Sequence, residues 1–101
     1  MFRVSAKRYF VYVLWSVRGR RFYIGISEDP SKRLKQHNHA PLGWSARYRP
    51  WILVYQEAFP DYRSARQREN YLKRQKGGRG FFQATGINPD DPITLPRPSG
   101  S

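Results

Sequence analysis

Two apolar runs near the N-terminus predict a pair of strands. Residues 9–17 are rich in aromatic and β-branched side chains and are apolar at nearly every position, as is typical of a strand covered on both faces. Residues 18–20 predict a turn and residues 21–27 a second strand, so the two runs form a hairpin. A loop of two or four residues would place Tyr12 and Tyr23 on the same face, whereas a plain three-residue loop would separate them.

The segment after the hairpin begins with a strong helix-start signal. Asp29 suits the capping position and Pro30 suits the first helical position, which predicts a helix over residues 29–39. Arg33 and His37 are four residues apart, so they share one face of this helix. The pattern therefore presents a guanidinium and an imidazole side by side, just beyond the end of a strand.

The second half of the chain predicts one more strand and one more long helix. We expect a loop at residues 40–48 and a third strand at residues 51–57. A helix at residues 62–76, ended by a glycine pair, and a short extra turn at residues 81–85 should follow. From residue 86 the chain is rich in proline and has few large apolar side chains. We therefore expect one domain over residues 1–85 and an extended tail over residues 86–101.

An acidic side chain interrupts the apolar face of the second long helix. Four residues with a 3-4-3 spacing form the stripe that should face the sheet: Tyr62, Ala65, Glu69 and Leu72. A carboxylate on this face is unfavourable unless it is paired or bound to a cation. Two interpretations of Glu69 follow from the residues alone, a salt bridge to a nearby arginine or a metal ligand.

The charge of the chain indicates which class of molecule it binds. The formal net charge is +12, from 19 lysines and arginines against 7 acidic residues. So strong a positive charge on one small domain favours a polyanion, and we expect nucleic acid rather than an anionic membrane. No stretch is long enough to span a bilayer. The chain has no cysteine, which excludes disulfides and thiolate metal sites and fits a cytoplasmic location.

The strand and helix motifs, taken in order, resemble the GIY-YIG nuclease superfamily. Residues 10–12 read Phe-Val-Tyr where the family has Gly-Ile-Tyr, so the tyrosine is kept, and residues 23–25 read Tyr-Ile-Gly, the second signature unaltered. Arg33 and His37 follow in the Arg-x-x-x-His pattern of the family. Residues 50–55 look like its third strand.

The long helix completes the resemblance, which covers residues 9–76. Its Ala65-x-x-x-Glu69-x-x-x-Lys73 pattern looks like the metal-binding helix of the family. The resemblance implies an α/β (α+β) domain with a three-stranded antiparallel sheet flanked by helices. It also implies metal-dependent cleavage of phosphodiester bonds. Within the superfamily the chain looks most like small stand-alone bacterial proteins related to the catalytic subunits of structure-specific endonucleases.

The resemblance identifies a set of candidate catalytic residues: Tyr12, Tyr23, Arg33, His37 and Glu69. Glu69 would supply the one protein carboxylate to a single Mg²⁺ or Mn²⁺ ion, and Arg33 would clamp the scissile phosphate. Tyr12 would activate or orient water, with Arg33, the metal and other cations lowering its pKa. Tyr23 would help to place Tyr12 or the phosphate, and His37 would share the base role or contact phosphate.

Contact with the substrate is expected from basic and aromatic residues outside the catalytic set. Six cationic side chains would bind the phosphate backbone: Arg47, Arg49, Lys73, Arg74, Lys76 and Arg79. The ring of Trp44 or Tyr48 would stack on an unpaired base. DNA is the expected substrate, and RNA stays open. A homodimer, or a partner protein that selects the substrate, also stays open. The alternative function is a nucleic-acid-binding module that does not cleave.

Overall fold

A three-stranded antiparallel sheet forms the centre of the protein. The structure, a computed structural model, describes residues 8–76 and 78–88. The strands are β1 (Tyr9–Ser16), β2 (Arg21–Ser27) and β3 (Trp51–Phe59), in the order β2-β1-β3. β1 lies in the middle and is buried from Val11 to Ser16, which explains why its sequence is apolar on both faces. The predicted fold class is confirmed.

The β1–β2 hairpin has a four-residue loop, because Ser16 pairs with Arg21. In this register Tyr12 lies opposite Gly25, and Tyr23 lies opposite Leu14. Since cross-strand partners share a face, Tyr12 and Tyr23 project to the same side of the sheet, as expected for a loop of this length.

Helices cover both faces of the sheet. They are α1 (Pro30–His39), α2 (Trp44–Arg47), α3 (Tyr62–Gln75) and α4 (Arg79–Thr85). The carboxylate of Asp29 caps α1 by accepting a hydrogen bond from the backbone N–H of Lys32 at 3.1 Å, and Asp61 caps α3 in the same way from Ser64 at 2.7 Å. α2 is a single turn in a segment that the sequence predicts as loop.

The two faces of the sheet have separate cores. Tyr12, Leu14 and Trp51 pack on the side of α1 and Tyr48, together with Leu34 and Leu53. Alternate residues of β1 and β2 pack against the inner residues of α3 and α4 on the other side: Val11, Val13, Trp15, Phe22, Ile24, Ala65, Leu72 and Phe81. β2 is therefore an edge strand with α1 on one side and α3 on the other.

The apolar packing extends slightly past the expected domain boundary. α4 ends at Gly86, whose φ of 76° suits glycine, and Ile87 then packs into the core on the α3 side. Most of the predicted tail, residues 89–101, lies outside the described residues. Residues 1–7 and 77 lie outside them too. Within the part that is described, no helix is both long and apolar enough to cross a bilayer.

Candidate active site

Tyr12 and Tyr23 form a close pair at the edge strand. Their ring centroids lie 6.1 Å apart, and both rings lie close to Gly25 of β2. A Cβ atom at position 25 would lie 2.8 Å from the Tyr12 hydroxyl oxygen and 3.0 Å from the Tyr23 ring. Glycine is therefore required at this position because the two tyrosines occupy the space of a side chain.

Arg33 reaches the tyrosine pair from α1. Its guanidinium interacts with Tyr12 and Tyr23, and it donates a hydrogen bond to the side-chain oxygen of Gln36 at 3.3 Å. The contact with Tyr12 raises the pKa of Arg33, so the guanidinium stays charged.

The Tyr12 hydroxyl is buried and makes no hydrogen bond of good geometry. Burial raises the pKa of Tyr12 above its ordinary value of 10.0, and this effect exceeds the opposite effect of Arg33. Arg33 lowers this pKa, as the sequence analysis expected of a nearby cation, but burial has the larger effect.

His37 packs directly against Tyr23 on the same face. Their ring centroids lie 4.7 Å apart, and the Trp51 ring lies 5.9 Å from His37. Both imidazole nitrogens are buried without a hydrogen-bond partner. Burial, followed by the charge of Arg33, lowers the pKa of His37 below 6.5, so the ring is neutral at pH 7.

Unsatisfied polar atoms concentrate in this cluster. Within the described residues, five buried side-chain polar atoms lack a hydrogen bond, and three of them belong to Tyr12 and His37. Buried polar groups are nearly always bonded in folded proteins, so this concentration marks the cluster as a candidate site. Arg33 and His37 also line a small cavity of about 180 Å³ with Gln36 and Ser45.

A larger groove, of about 660 Å³, runs along the outside of β2. Tyr23 and Trp44 line it from the α1 side of the sheet. α3 and the residue that follows it line the other wall with every third or fourth residue: Tyr62, Arg66, Glu69, Lys73 and Lys76. Tyr23 is therefore shared between the tyrosine–arginine–histidine cluster and this groove, which we call the β2 groove.

Glu69 carries the negative charge of the groove. It is the only acidic residue among the described residues that line it, and its side chain is 11% exposed. One carboxylate oxygen lies 3.2 Å from Lys73 Nζ and the other lies 3.6 Å from Arg66 Nε. Both interpretations drawn from the sequence thus have support, because the carboxylate is ion-paired and also faces an open groove.

The donor set of the groove fits a hard divalent cation that keeps most of its water. No group of three His, Cys, Asp or Glu side chains that could hold a metal ion occurs within the residues the structure covers. Mg²⁺ is commonly held by one or two carboxylates, with water and phosphate oxygens as its other ligands. Glu69 could supply that carboxylate, and the open groove leaves room for the remaining ligands.

Three of the predicted nucleic-acid contacts line the β2 groove: Trp44, Lys73 and Lys76. Burial and the nearby charges of Arg21 and Lys73 lower the pKa of Lys76, which shows how densely the cations are placed. The sequence analysis did not identify Arg66 as a candidate contact. Its position could have been predicted from the 4-3-4-3 spacing between Tyr62 and Lys76, which places Arg66 on the same helix face as Glu69.

The other predicted contacts lie outside the lining of the groove. The Tyr48 ring is covered by Arg21, whose guanidinium carbon is 4.2 Å from the ring centroid. Arg49 donates a hydrogen bond to the Ala40 carbonyl at 2.9 Å and so fastens the loop before α2. The remaining three are exposed: Arg47, Arg74 and Arg79.

Comparison with known proteins identifies the class. The GIY-YIG catalytic domain matches residues 8–81, which is most of the chain. The chain belongs to the GIY-YIG family. A solution NMR structure of the UPF0213 protein BH0048 from Bacillus halodurans has the same fold, with a TM-score of 0.51 and 24% sequence identity. The match covers 93% of this chain and 99% of that one, and at this identity it shows the fold alone.

The curated relatives are longer proteins. Structure-specific endonuclease subunit SLX1 of Candida dubliniensis is 37% identical over 94 residues, which are 85% of this chain and 31% of that protein. The protein of the same name in Meyerozyma guilliermondii is 37% identical over 95 residues, or 81% and 32%. The chain thus spans about a third of the length of the curated relatives it matches.

Proposed function

We propose that this chain is a metal-dependent endonuclease that hydrolyses phosphodiester bonds in DNA. The observation that carries the proposal is the position of Tyr23, which contacts Tyr12 and His37 and also lines the groove that contains Glu69. Membership of the GIY-YIG family and the endonuclease names of the SLX1 relatives support it.

Arg33 binds the scissile phosphate in this proposal. Its charge is permanent, and its planar fork can donate two hydrogen bonds to phosphate oxygens. The hydrogen bond to Gln36 holds the guanidinium towards the cavity. Tyr23 contacts His37, which lines this cavity, and also lines the β2 groove, so it would help to position the phosphate.

Glu69 would hold one Mg²⁺ or Mn²⁺ ion on the other wall of the groove. When bound, the ion supplies charge neutralisation at the phosphate and a lowered pKa for a bound water. The protein would contribute the carboxylate, which Lys73 and Arg66 hold in place by ion pairs. These two side chains would also bind phosphates of the substrate.

His37 is the better proton acceptor of the two candidates. Its pKa is lowered, so the neutral imidazole can take a proton at pH 7, and neither ring nitrogen is engaged elsewhere. Tyr12 has a raised pKa and stays a neutral phenol. We therefore assign to Tyr12 the orientation of the attacking water and to His37 the removal of its proton.

A cleavage assay on labelled DNA tests the proposal. Single-stranded, duplex, flap and four-way-junction substrates, and RNA, would be compared in Mg²⁺, in Mn²⁺ and in EDTA. We expect cutting that requires the metal and is abolished by Glu69→Gln, with nucleic-acid affinity retained. Full activity of Glu69→Gln, or cutting in EDTA, would contradict the metal role of Glu69.

A second function, a nucleic-acid-binding module that does not cleave, is favoured by one observation. The ion pairs with Lys73 and Arg66 satisfy the charge of Glu69 without any metal. Binding without cleavage in both the wild type and Glu69→Gln would establish this function. The SLX1 relatives are named as subunits, so we also propose a partner protein, and a search for co-purifying proteins would follow.

A further inference from the structure

Exposed apolar side chains gather beside the β2 groove. Among the described residues, four large hydrophobic side chains are exposed, and two of them, Trp44 and Tyr62, line the groove. A third, Leu42, lies two residues before Trp44 and is 84% exposed. Exposed apolar groups clustered within a cationic surface indicate a ligand that has both apolar and anionic parts.

The Trp44 ring is held rigidly by a layer of aromatic side chains. Its centroid lies 5.3 Å from that of Tyr48, 5.4 Å from that of Trp51 and 6.0 Å from that of Tyr23. Nevertheless Trp44 is 46% exposed. One part of the indole is therefore packed, while the rest is open towards the groove.

The backbone beneath Trp44 is fastened as well. The Trp51 indole N–H donates to the Ser45 carbonyl at 2.9 Å, and Asn38 bonds the backbone N–H and carbonyl of Trp51 at 2.7 and 3.0 Å. A ring fixed in advance loses little conformational entropy when a ligand stacks on it. This arrangement suits a flat, uncharged ligand group.

We propose that Trp44 is the stacking platform for one unpaired nucleobase, and that Leu42 contacts the adjoining nucleotide. The inference rests on the proposed function, because it assigns the ligand to the same groove. Charge complementarity supports a nucleotide, since Arg66, Lys73 and Lys76 line the opposite wall and can bind the phosphates on either side of that base. Tyr48, the other predicted stacking ring, is covered by Arg21.

Intrinsic fluorescence can test the stacking directly. The chain has three tryptophans, of which Trp15 is 4% and Trp51 is 2% exposed, so Trp44 alone is open to a ligand. In EDTA, which prevents metal-dependent cleavage, single-stranded oligo(dT) should quench the emission. An abasic oligonucleotide of equal length should bind without quenching, and Trp44→Phe should remove the response to oligo(dT).

Affinity measurements separate base stacking from phosphate binding. By fluorescence anisotropy in EDTA, Trp44→Ala should weaken oligo(dT) binding about tenfold and leave the abasic oligonucleotide and a blunt duplex unaffected. Leu42→Ser should weaken oligo(dT) binding to a smaller extent. Val17→Ser, which removes an exposed apolar side chain in the β1–β2 loop away from the groove, is the matched control and should change nothing.

Equal losses for the base-containing and abasic oligonucleotides, or no effect of Trp44→Ala, would overturn the inference. Because no arm requires cleavage, the nuclease proposal can fail while this inference stands. Conversely, metal-dependent cutting by Trp44→Ala with unchanged oligo(dT) affinity would uphold the nuclease and reject the platform.

Discussion

Tyr12 and Gly25 face each other across the β1–β2 hairpin, and the tyrosine hydroxyl fills the space that a side chain at position 25 would need. The glycine of the Tyr-Ile-Gly signature is thus explained by the packing of Tyr12 and Tyr23. It allows two phenol rings to sit side by side against the backbone of an edge strand. The geometry of the candidate site depends on this absence of a side chain.

Gly25→Ala should therefore disturb the tyrosine pair. The added methyl group would lie 2.8 Å from the Tyr12 hydroxyl oxygen, so we expect a loss of about 1–3 kcal/mol in the free energy of unfolding and a large loss of cleavage. Thermal denaturation and the cleavage assay would measure the two effects. Gly80→Ala in α4 is the control, because its methyl group meets only the flexible side chain of Gln75. Wild-type activity of Gly25→Ala would contradict this account.

Tyr12→Phe should separate stability from activity. The hydroxyl is buried without a good hydrogen bond, so its removal should change the free energy of unfolding by less than about 1 kcal/mol. Cleavage should fall by about 10²-fold if the hydroxyl orients the attacking water. Urea denaturation and initial cleavage rates would be compared for the two proteins.

Tyr55→Phe is a control that should lower stability without lowering the cleavage rate. The Tyr55 hydroxyl bonds to the carboxylate of Glu57, which is ion-paired with Arg68 at 3.3 Å, on the edge of the sheet away from β2. Its loss should cost about 1–3 kcal/mol of stability and leave the cleavage rate intact. If Tyr12→Phe destabilised the fold as much as Tyr55→Phe and kept its activity, the role of Tyr12 would be structural.

If His37 is the base, the pH profile of the cleavage rate should have an acid limb, in which the rate falls as His37 becomes protonated. Its pKa is lowered below 6.5, so the neutral imidazole predominates above pH 6.5, and the rate should fall only as the pH drops through the lowered pKa. The same shift makes the folded state bind the proton less readily than the unfolded state. Stability attributable to His37 is therefore complete above pH 6.5 and is lost as the pH falls.

His37→Phe tests both consequences. It removes two buried nitrogens without partners, so stability at pH 7 should be kept or raised, and the loss of stability on acidification should be smaller. Cleavage at pH 7 should fall by about 10²-fold, and its acid limb should disappear. His39→Phe on the exposed side of α1 is the control. An unchanged rate and pH profile in His37→Phe would exclude it as the base.

The sequence predicted those elements whose signals are local. Asp29 and Pro30 placed the start of α1 because a cap and a first-turn proline act on neighbouring residues. The common face of Tyr12 and Tyr23 was stated only as a consequence of loop length, because apolar alternation fixes periodicity but not register. In the structure, the four-residue loop sets the register that places both tyrosines on the same face.

Features that depend on distant packing were not predicted. β3 contains a bulge at Val54, because Leu14 pairs with Leu53 while Val13 pairs with Tyr55. Trp51 and Leu53 therefore face α1, while Tyr55 and Phe59 beyond the bulge face α3. The raised pKa of Tyr12 likewise comes from burial beneath a helix, which no short motif reveals.

The ion pairs of Glu69 predict that nucleic acid strengthens metal binding. Lys73 lies 3.2 Å from one carboxylate oxygen and competes with a cation for it. Phosphates in the groove would draw Lys73 away and add ligands for the ion, so Mn²⁺ should bind more tightly in the presence of uncut oligonucleotide. Tyr12→Phe, which keeps Glu69 and its partners, allows this to be measured by Mn²⁺ electron paramagnetic resonance without rapid cleavage.

Lys73→Met isolates the contribution of that ion pair. Without nucleic acid, it should raise Mn²⁺ affinity by about two- to fivefold, as expected for a partly exposed pair worth up to about 1 kcal/mol. Arg74→Met removes one positive charge from an exposed site on the same helix outside the groove, so it controls for net charge. Equal gains in the two variants would attribute the effect to overall charge. A gain confined to Lys73→Met, and absent when Glu69 is replaced by Gln, would locate the metal at Glu69 independently of any cleavage assay.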